Sequence, residues 1–324
     1  MDNLSQSNGY YPKLFIYVPI PVTDPKTDTY RKTVVAGPMS RTLVLQSTQG
    51  VPYGPKARAV FCLMTTHAVK TGTPHIELPT ISETMRSLGL AVTGGRKGSI
   101  DLVKEQFRRW QGSQIEFREE QPGGGVRAVG FRIVNRYMLD WLLDGQYSLI
   151  QNYCELSPDF VSTVRKSGSV VPVPQSIYLS IGEPIRQDVL VWLSRINFTT
   201  TKSRPPIPRR NIIEQFGPPD IQSKQWSAFW KKFEHHVDWI NQNVWSGKAR
   251  YEFTKEGFVW KRSPLLVEPG DKKAAYVTVD PENNLERSYL IQPNDPGWIA
   301  QESAAIYDTK PRRGQRAGAR KKST

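Results

Sequence analysis

The sequence predicts an α+β chain made of two similar units. An order of helix, short strand, helix, helix and β-hairpin runs from about residue 55 to 134, and the same order recurs from 186 to 262. Glycine and proline fall where the helices of both runs must stop. The 324 residues suffice for two ordinary domains of about 100 to 200 residues each. Helix, strand, two helices and a hairpin make a winged helix-turn-helix. The expected architecture is therefore two tandem winged-helix domains with a flexible N-terminal arm and a basic C-terminal tail. The expected divisions are an arm over 1–40, a first domain over 41–150, a linker and second domain over 151–268, and an extended tail over 269–324.

Each element has a local reason. Pro12, Pro19, Pro21 and Pro25 interrupt regular structure in the first 40 residues, which leaves room for one short strand at 14–18. From Pro55 to Lys70, Val60, Leu63, Met64, His67 and Ala68 recur at helical spacing behind a first-turn proline, and Gly72 supplies the stop. His75 to Leu78 is a short strand. Thr80 and Glu83 form a capping box for the next helix, which Gly89 ends. After TGGRKGS (residues 93–99), a third helix runs from Ser99 to Trp110. Residues 114–120 and 126–134 alternate around the PGGG turn at 122–125, the pattern of a hairpin, which is read as the first wing.

In the second unit, 186–197 is a helix with Val189, Leu190, Leu193 and Ile196 inward. An extended piece at Ile207, a short helix over 210–216 stopped by Gly217-Pro218-Pro219, a long helix over 222–242 and a hairpin of 250–253 with 258–262 follow. Residues 137–185 read as the joining segment. From Lys310 onward the composition cannot build a core.

The formal charge is +14, which favours a polyanionic partner. Seven Lys and Arg and no acid lie in 310–324, so 14 − 7 = +7 remains on residues 1–309. The part expected to fold is thus basic in its own right. Cys62 and Cys154 form no C-x-x-C pair or metal spacing, so neither a disulfide framework nor a structural zinc is expected. The apolar piece 14–20 is too short for a membrane span and lacks a preceding basic region, which points to a cytoplasmic protein with no membrane partner.

TGGRKGS fails the spacing of a nucleotide-binding cradle, because Lys97 precedes Gly98 rather than following it. The alternative is the start of a helix that meets DNA. At about 100° per residue, Ile100, Val103, Phe107 and Trp110 face one side, and Lys104, Arg108 and Arg109 lie away from it. Lys97 and the Ser99 hydroxyl sit at the helix N-terminus, which favours an anion. In the long second helix, Trp226, Phe229, Trp230, Phe233, Val237 and Ile240 form the inward stripe. Lys224, Lys231 and His235 stand opposite, with Ser227 and Ala228 small enough for close approach to a major groove. Lys232 flanks this face within reach of a phosphate. Arg127 at the first hairpin suits a minor groove, and Arg209 and Arg210 suit backbone phosphates. Arg312, Arg313, Arg316, Arg320, Lys321 and Lys322 in the tail suit loose, salt-sensitive attachment.

No catalytic residue, metal site or cofactor is expected. His235 and His236 diverge as helix neighbours, Glu119 and Glu120 point to opposite faces of a strand, and the strand-borne His-x-His of a DNA-nicking enzyme is absent. Three rivals remain: a transcriptional repressor with the same fold, a nickase or primase, and an RNA binder. The last is disfavoured because the aromatics fit core stripes rather than a stacking platform.

Several blocks in order resemble the plasmid-encoded RepA-type replication initiators: Tyr53-Gly-Pro-Lys-Ala-Arg58, Thr65-Thr-His-Ala-Val69, Ile76-Glu-Leu78, Met85-Arg-Ser-Leu-Gly89, TGGRKGS and Glu105-Gln-Phe-Arg-Arg109. Further on, Asp188 to Leu193 (DVLVWL) is similar to the family's Asp-x-Tyr-x-Trp-Leu run, with Leu190 in place of the usual aromatic. The resemblance implies a bacterial, cytoplasmic plasmid initiator. It would bind repeated sites in the origin (iterons), promote opening of the duplex and recruit the host replication initiator and helicase. It also implies monomers at the origin and homodimers that repress their own gene.

Overall fold

The computed structural model describes residues 8–36, 39–94, 98–121, 123–139, 152–166, 168–200, 205–266, 277–279 and 286–288. It is a mixed α/β structure whose ladders are all antiparallel among the described residues.

The N-terminal segment is not a free arm. Strand β1 (Asn8–Pro12) pairs residue for residue with β9 (Val170–Pro174), and the expected strand at 14–18 is instead a single helical turn, α1 (Leu14–Tyr17). Tyr10, Tyr11, Phe15, Ile16, Val18 and Ile20 are all buried. The prolines break up regular local structure as expected. The segment is ordered by distant partners, which no local pattern announces.

Strands β2 (Thr29–Ala36) and β3 (Met39–Ser47) join β5 (Ser113–Glu120) and β6 (Val126–Arg132) in a four-stranded sheet of order β2-β3-β5-β6. The predicted hairpin around the glycine tip therefore exists as β5 and β6, but it lies against β3 rather than against the strand 75–78. Leu43, Leu45, Ile115, Phe117 and Phe131 alternate onto its inner face.

Helix α2 (Gly54–Thr71) ends at Gly72 in the left-handed conformation, φ 72°. It is buried on most sides and carries the first aromatic cluster, in which Phe61 stacks on Trp110 at 4.6 Å and meets Phe15 edge-on at 4.9 Å. Strand β4 (His75–Leu78) leads to α3 (Ile81–Ser87), where the Thr80–Glu83 capping box forms as the sequence predicts. After α4 (Ser99–Gln111) and the β5–β6 hairpin, β7 (Val134–Met138) and β8 (Asn152–Leu156) complete a sheet of order β4-β8-β7.

The expected joining segment is folded where it is described. It carries β8, α5 (Pro158–Arg165), β9 and α6 (Gln175–Ser180), with Phe160, Val161, Val164 and Tyr178 in the core. Helix α7 (Pro184–Thr199) opens the second unit and is followed by β10 (Ile207–Pro208), α8 (Arg209–Phe216) and a 3-10 turn over Ser223–Gln225. Helix α9 (Trp226–Asn243), β11 (Arg250–Phe253) and β12 (Gly257–Lys261) complete it. Its sheet order is β10-β12-β11, so in both units the first strand pairs with the last and the last with the middle one. Trp192, Phe216, Phe233 and Phe258 make the second aromatic cluster, with Trp192 5.4 Å from Phe216. In the region expected to be tail, β13 (Val277–Val279) pairs with β14 (Glu286–Ser288).

Buried polar contacts tie the two units together. Arg58, fully buried, donates from Nε and Nη2 to the Asp188 carboxylate at 2.8 and 2.7 Å. Its remaining N–H groups go to the carbonyls of Pro21, Gly54 and Ile20. Lys32 Nζ donates to the carbonyls of Gln215 and Gly217, each at 2.7 Å, and so closes the C-terminal end of α8. Gln215 Nε2 donates to the Ile16 carbonyl. One hydrophobic core runs through both units.

Candidate nucleic-acid interface

The inward face of α9 is set by Phe229, Trp230, Phe233, His236, Val237, Ile240 and Asn241, all buried. That stripe fixes the opposite side of the helix toward solvent. Lys224, just ahead of the helix, and Ala228, Lys231 and His235 are exposed along it at spacings of three and four, flanked by exposed Ser227 and Lys232. Lys224, Lys231 and Lys232 have no ion pair among the described residues. The surface is cationic, and the small Ala228 leaves its middle low. Asp238 continues the same line but is engaged, accepting a hydrogen bond from the Tyr251 hydroxyl at 2.7 Å.

Helix α4 differs from what its sequence predicts. Val103, Gln106, Phe107 and Trp110 are buried as its inward face, and Trp110 Nε1 donates to the Ala57 carbonyl. Arg109 is not an outward base. Its Nη1 and Nη2 donate to the Asp24 carboxylate at 3.2 and 3.1 Å, its Nε donates to Glu105 at 2.9 Å, and Nη1 also reaches the Val51 carbonyl. Its guanidinium lies over the Tyr53 ring, 4.9 Å from the centroid. Burial alone would raise the Asp24 carboxyl, yet the bonds from Arg109 hold it below the usual carboxylate range. The partner that captures Arg109 comes from the N-terminal segment, 85 residues away, which helical spacing cannot reveal. Arg108 is half-exposed and 3.8 Å from Glu105, and Lys104 is half-buried on the flank.

Ser99 is likewise committed to the fold. The helix is capped by Gly98, while the Ser99 hydroxyl donates to the Ala91 carbonyl and accepts from the Thr93 N–H. Thr93 Oγ1 in turn accepts from the Ser99 N–H at 2.9 Å. The pair joins the described residues on either side of 95–97, so the hydroxyl expected to meet a phosphate is used internally. Lys97 lies outside the described residues.

The other sequence-predicted bases divide between surface and frame. Arg127 is exposed beside the tip of the β5–β6 hairpin. Arg209 donates from Nη2 to the Thr254 carbonyl and covers the Trp230 ring at 4.9 Å, which ties α8 to the second hairpin. Arg210 pairs with Glu214 at 2.6 Å one turn along, with its side chain 71% exposed. Arg312, Arg313, Arg316, Arg320, Lys321 and Lys322 lie outside the described residues. Arg250, Lys255 and Arg262, which are not among the bases expected from the sequence to meet DNA, are exposed on and beside the β11–β12 hairpin. The signal was present in the basic residues of that hairpin but is weak without knowing which side of each strand faces solvent.

No known protein family matches the sequence, and no curated protein matches it. Among solved structures, the chain is similar to a crystal structure of domain 2 and domain 3 of RctB. The two are 10% identical over 79% of this chain and 97% of that one, with a TM-score of 0.48. A second structure of RctB domains 2–3 is 12% identical over 74% and 92%, with a TM-score of 0.39. Both scores lie below one half, so neither family nor function is assigned by them. No helix among the described residues is long and apolar enough to cross a membrane.

Proposed function

We infer that the chain binds duplex DNA through two winged-helix units and acts as a plasmid-type replication initiator at repeated origin sites. The observation that carries the DNA-binding part is the exposed line of Lys224, Lys231 and His235 with Ala228 between them, on a helix whose opposite side is core. Such a face fits a major groove, which admits a helix and presents phosphates along both rims. The repeated strand order supports the winged-helix reading, with β4-β8-β7 and β10-β12-β11 as equivalent sheets. On this reading the β5–β6 hairpin, expected to be the first wing, is an addition to the fold, because it pairs with β3 and not with β4, β7 or β8. Origin opening, recruitment of the host initiator and helicase, and repression by dimers follow from the resemblance of 53–109 to RepA-type initiators. The chain needs no active site for any of these steps.

Replacing Lys224 and Lys231 together by alanine tests the interface. The variant should bind the chain's own upstream repeats more weakly, and its log affinity against log salt should flatten by roughly 1 to 2, since each phosphate neutralised contributes about 0.9. Unchanged affinity and slope would remove α9 from the interface. A plasmid carrying only this gene and its upstream repeats tests replication: its failure in every permissive host would leave a repressor.

A further inference from the structure

Helix α8 does not close its own C-terminal end. It runs into Gly217-Pro218-Pro219, and Gly217 is extended (φ −72°, ψ 164°) rather than left-handed, so the chain forms no glycine cap of the usual kind there. Neither proline has an N–H to give. The Gly217 N–H is taken by the Ile213 carbonyl at 2.7 Å. The Gln215 and Gly217 carbonyls are met from the other unit instead. Lys32, in β2 of the first unit's four-stranded sheet, is 4% exposed, and its amine donates to both carbonyls at 2.7 Å. Beside it, Gln215 Nε2 donates to the Ile16 carbonyl, also at 2.7 Å. Desolvation offsets much of what a buried ammonium gains from its bonds. What it adds is geometry: two short directed bonds hold one arrangement, where an apolar contact tolerates a slide. The backbone so held is the last turn of α8 and the start of the connection to α9, the helix that presents Lys231 and His235.

Resting on the DNA-binding reading above, we propose that Lys32 is a positioning residue for DNA recognition, setting the separation and rotation of α9 relative to the first unit. The chain then accepts the two stretches of duplex contacted by its units at one spacing only. Lys32 acts through α8 and touches no DNA.

The test uses the full chain and the duplex it selects from a randomised pool, with the protected backbone stretches located by hydroxyl-radical footprinting. One base pair inserted between the stretches moves the far one about 3.4 Å along the axis and about 35° around it. Wild type should bind the inserted duplex about tenfold more weakly than the parent, or worse. In Lys32→Met that ratio should fall to about threefold or less, while the slope of log affinity against log salt on the parent stays as in wild type, because no phosphate contact is removed. Should Lys32→Met fail to fold, Lys32→Gln, too short to bridge both carbonyls, takes its place. Spin labels on Gln114→Cys in β5 and Gln242→Cys in α9, both exposed sites, report the separation without DNA, since Cys62 and Cys154 are buried. With Lys32 present they should show one narrow distance. A wild type that tolerates the insertion, an unchanged ratio in the folded variant, or a broad distance distribution with Lys32 present overturns the proposal while leaving α9 and DNA binding intact. A chain that selects no duplex at all overturns both readings.

Discussion

His236 shows how a single buried side chain couples α9 to α7. It is 6% exposed, with Nε2 4.0 Å from Glu183 Oε1 at the start of α7, and Arg186, Lys232 and His235 stand nearby. Burial lowers its pKa to about 4, against the opposing pull of Glu183. The unfolded chain has an ordinary imidazole near 6.5, so between about pH 6.5 and 4 the unfolded state takes up a proton that the folded state refuses. Stability is therefore lost as pH falls through that window. His236→Gln should unfold in urea with a flatter dependence on pH from 6.5 to 4 than wild type; an identical profile would show that His236 does not carry it. His235, one residue earlier, is exposed and belongs to the binding face. The two histidines thus serve structure and surface separately.

Between α3 and α4, the glycines of TGGRKGS are not equivalent. A Cβ at Gly98 would press into the Thr93 carbonyl oxygen and lie 2.6 Å from the Gly94 oxygen, both backbone atoms of the same turn. A Cβ at Gly94 would meet nothing within 4 Å. Gly98→Ala should therefore cost roughly 1–3 kcal/mol of unfolding free energy in a denaturant titration, while Gly94→Ala stays within about 0.5 kcal/mol. Equal effects at both positions would mean that Gly98 does not sit against the Thr93 and Gly94 carbonyls. The described end of the segment, Gly98 and Ser99, caps and starts α4, as its composition predicts. The Thr93 and Ser99 hydroxyls hold its two described ends together.

Across the whole molecule, residues 8–32 act as a staple between units. Arg58 fixes Ile20 and Pro21 beside Asp188, and Lys32 reaches from β2 to the end of α8. Burial lowers the Lys32 pKa to about 8 from its usual 10.5, with Asp188 pulling the other way. Between about pH 8 and 10.5 the folded amine gives up a proton that the unfolded one keeps, so the contribution of Lys32 to stability rises with pH across this range, against the opposite contribution of the buried Cys62 and Cys154 thiols, whose pKa burial raises to about 12. Lys32→Met should remove that rise; a wild-type-like slope in the variant would place the titration elsewhere. Since the contact spans two units, the same substitution should let α8 exchange amide protons sooner than α2.

The local order of elements was legible in the sequence because it depends on neighbours: caps at Thr80, stops at Gly72 and Gly217, and apolar periodicity in α4 and α9. The cationic face of α9 was legible for the same reason, since an 18-residue helix with one apolar stripe has only one other side to show. Contacts between residues far apart in sequence were not. The pairing of β1 with β9, the transfer of the β5–β6 hairpin to the sheet of β2 and β3, and the capture of Arg109 by Asp24 each join residues with no shared periodicity. The sequence alone determined which residues can be helix, strand and outward charge. Tertiary structure decided which charges stay outward, because a cation that finds a carboxylate in the fold is no longer offered to a partner.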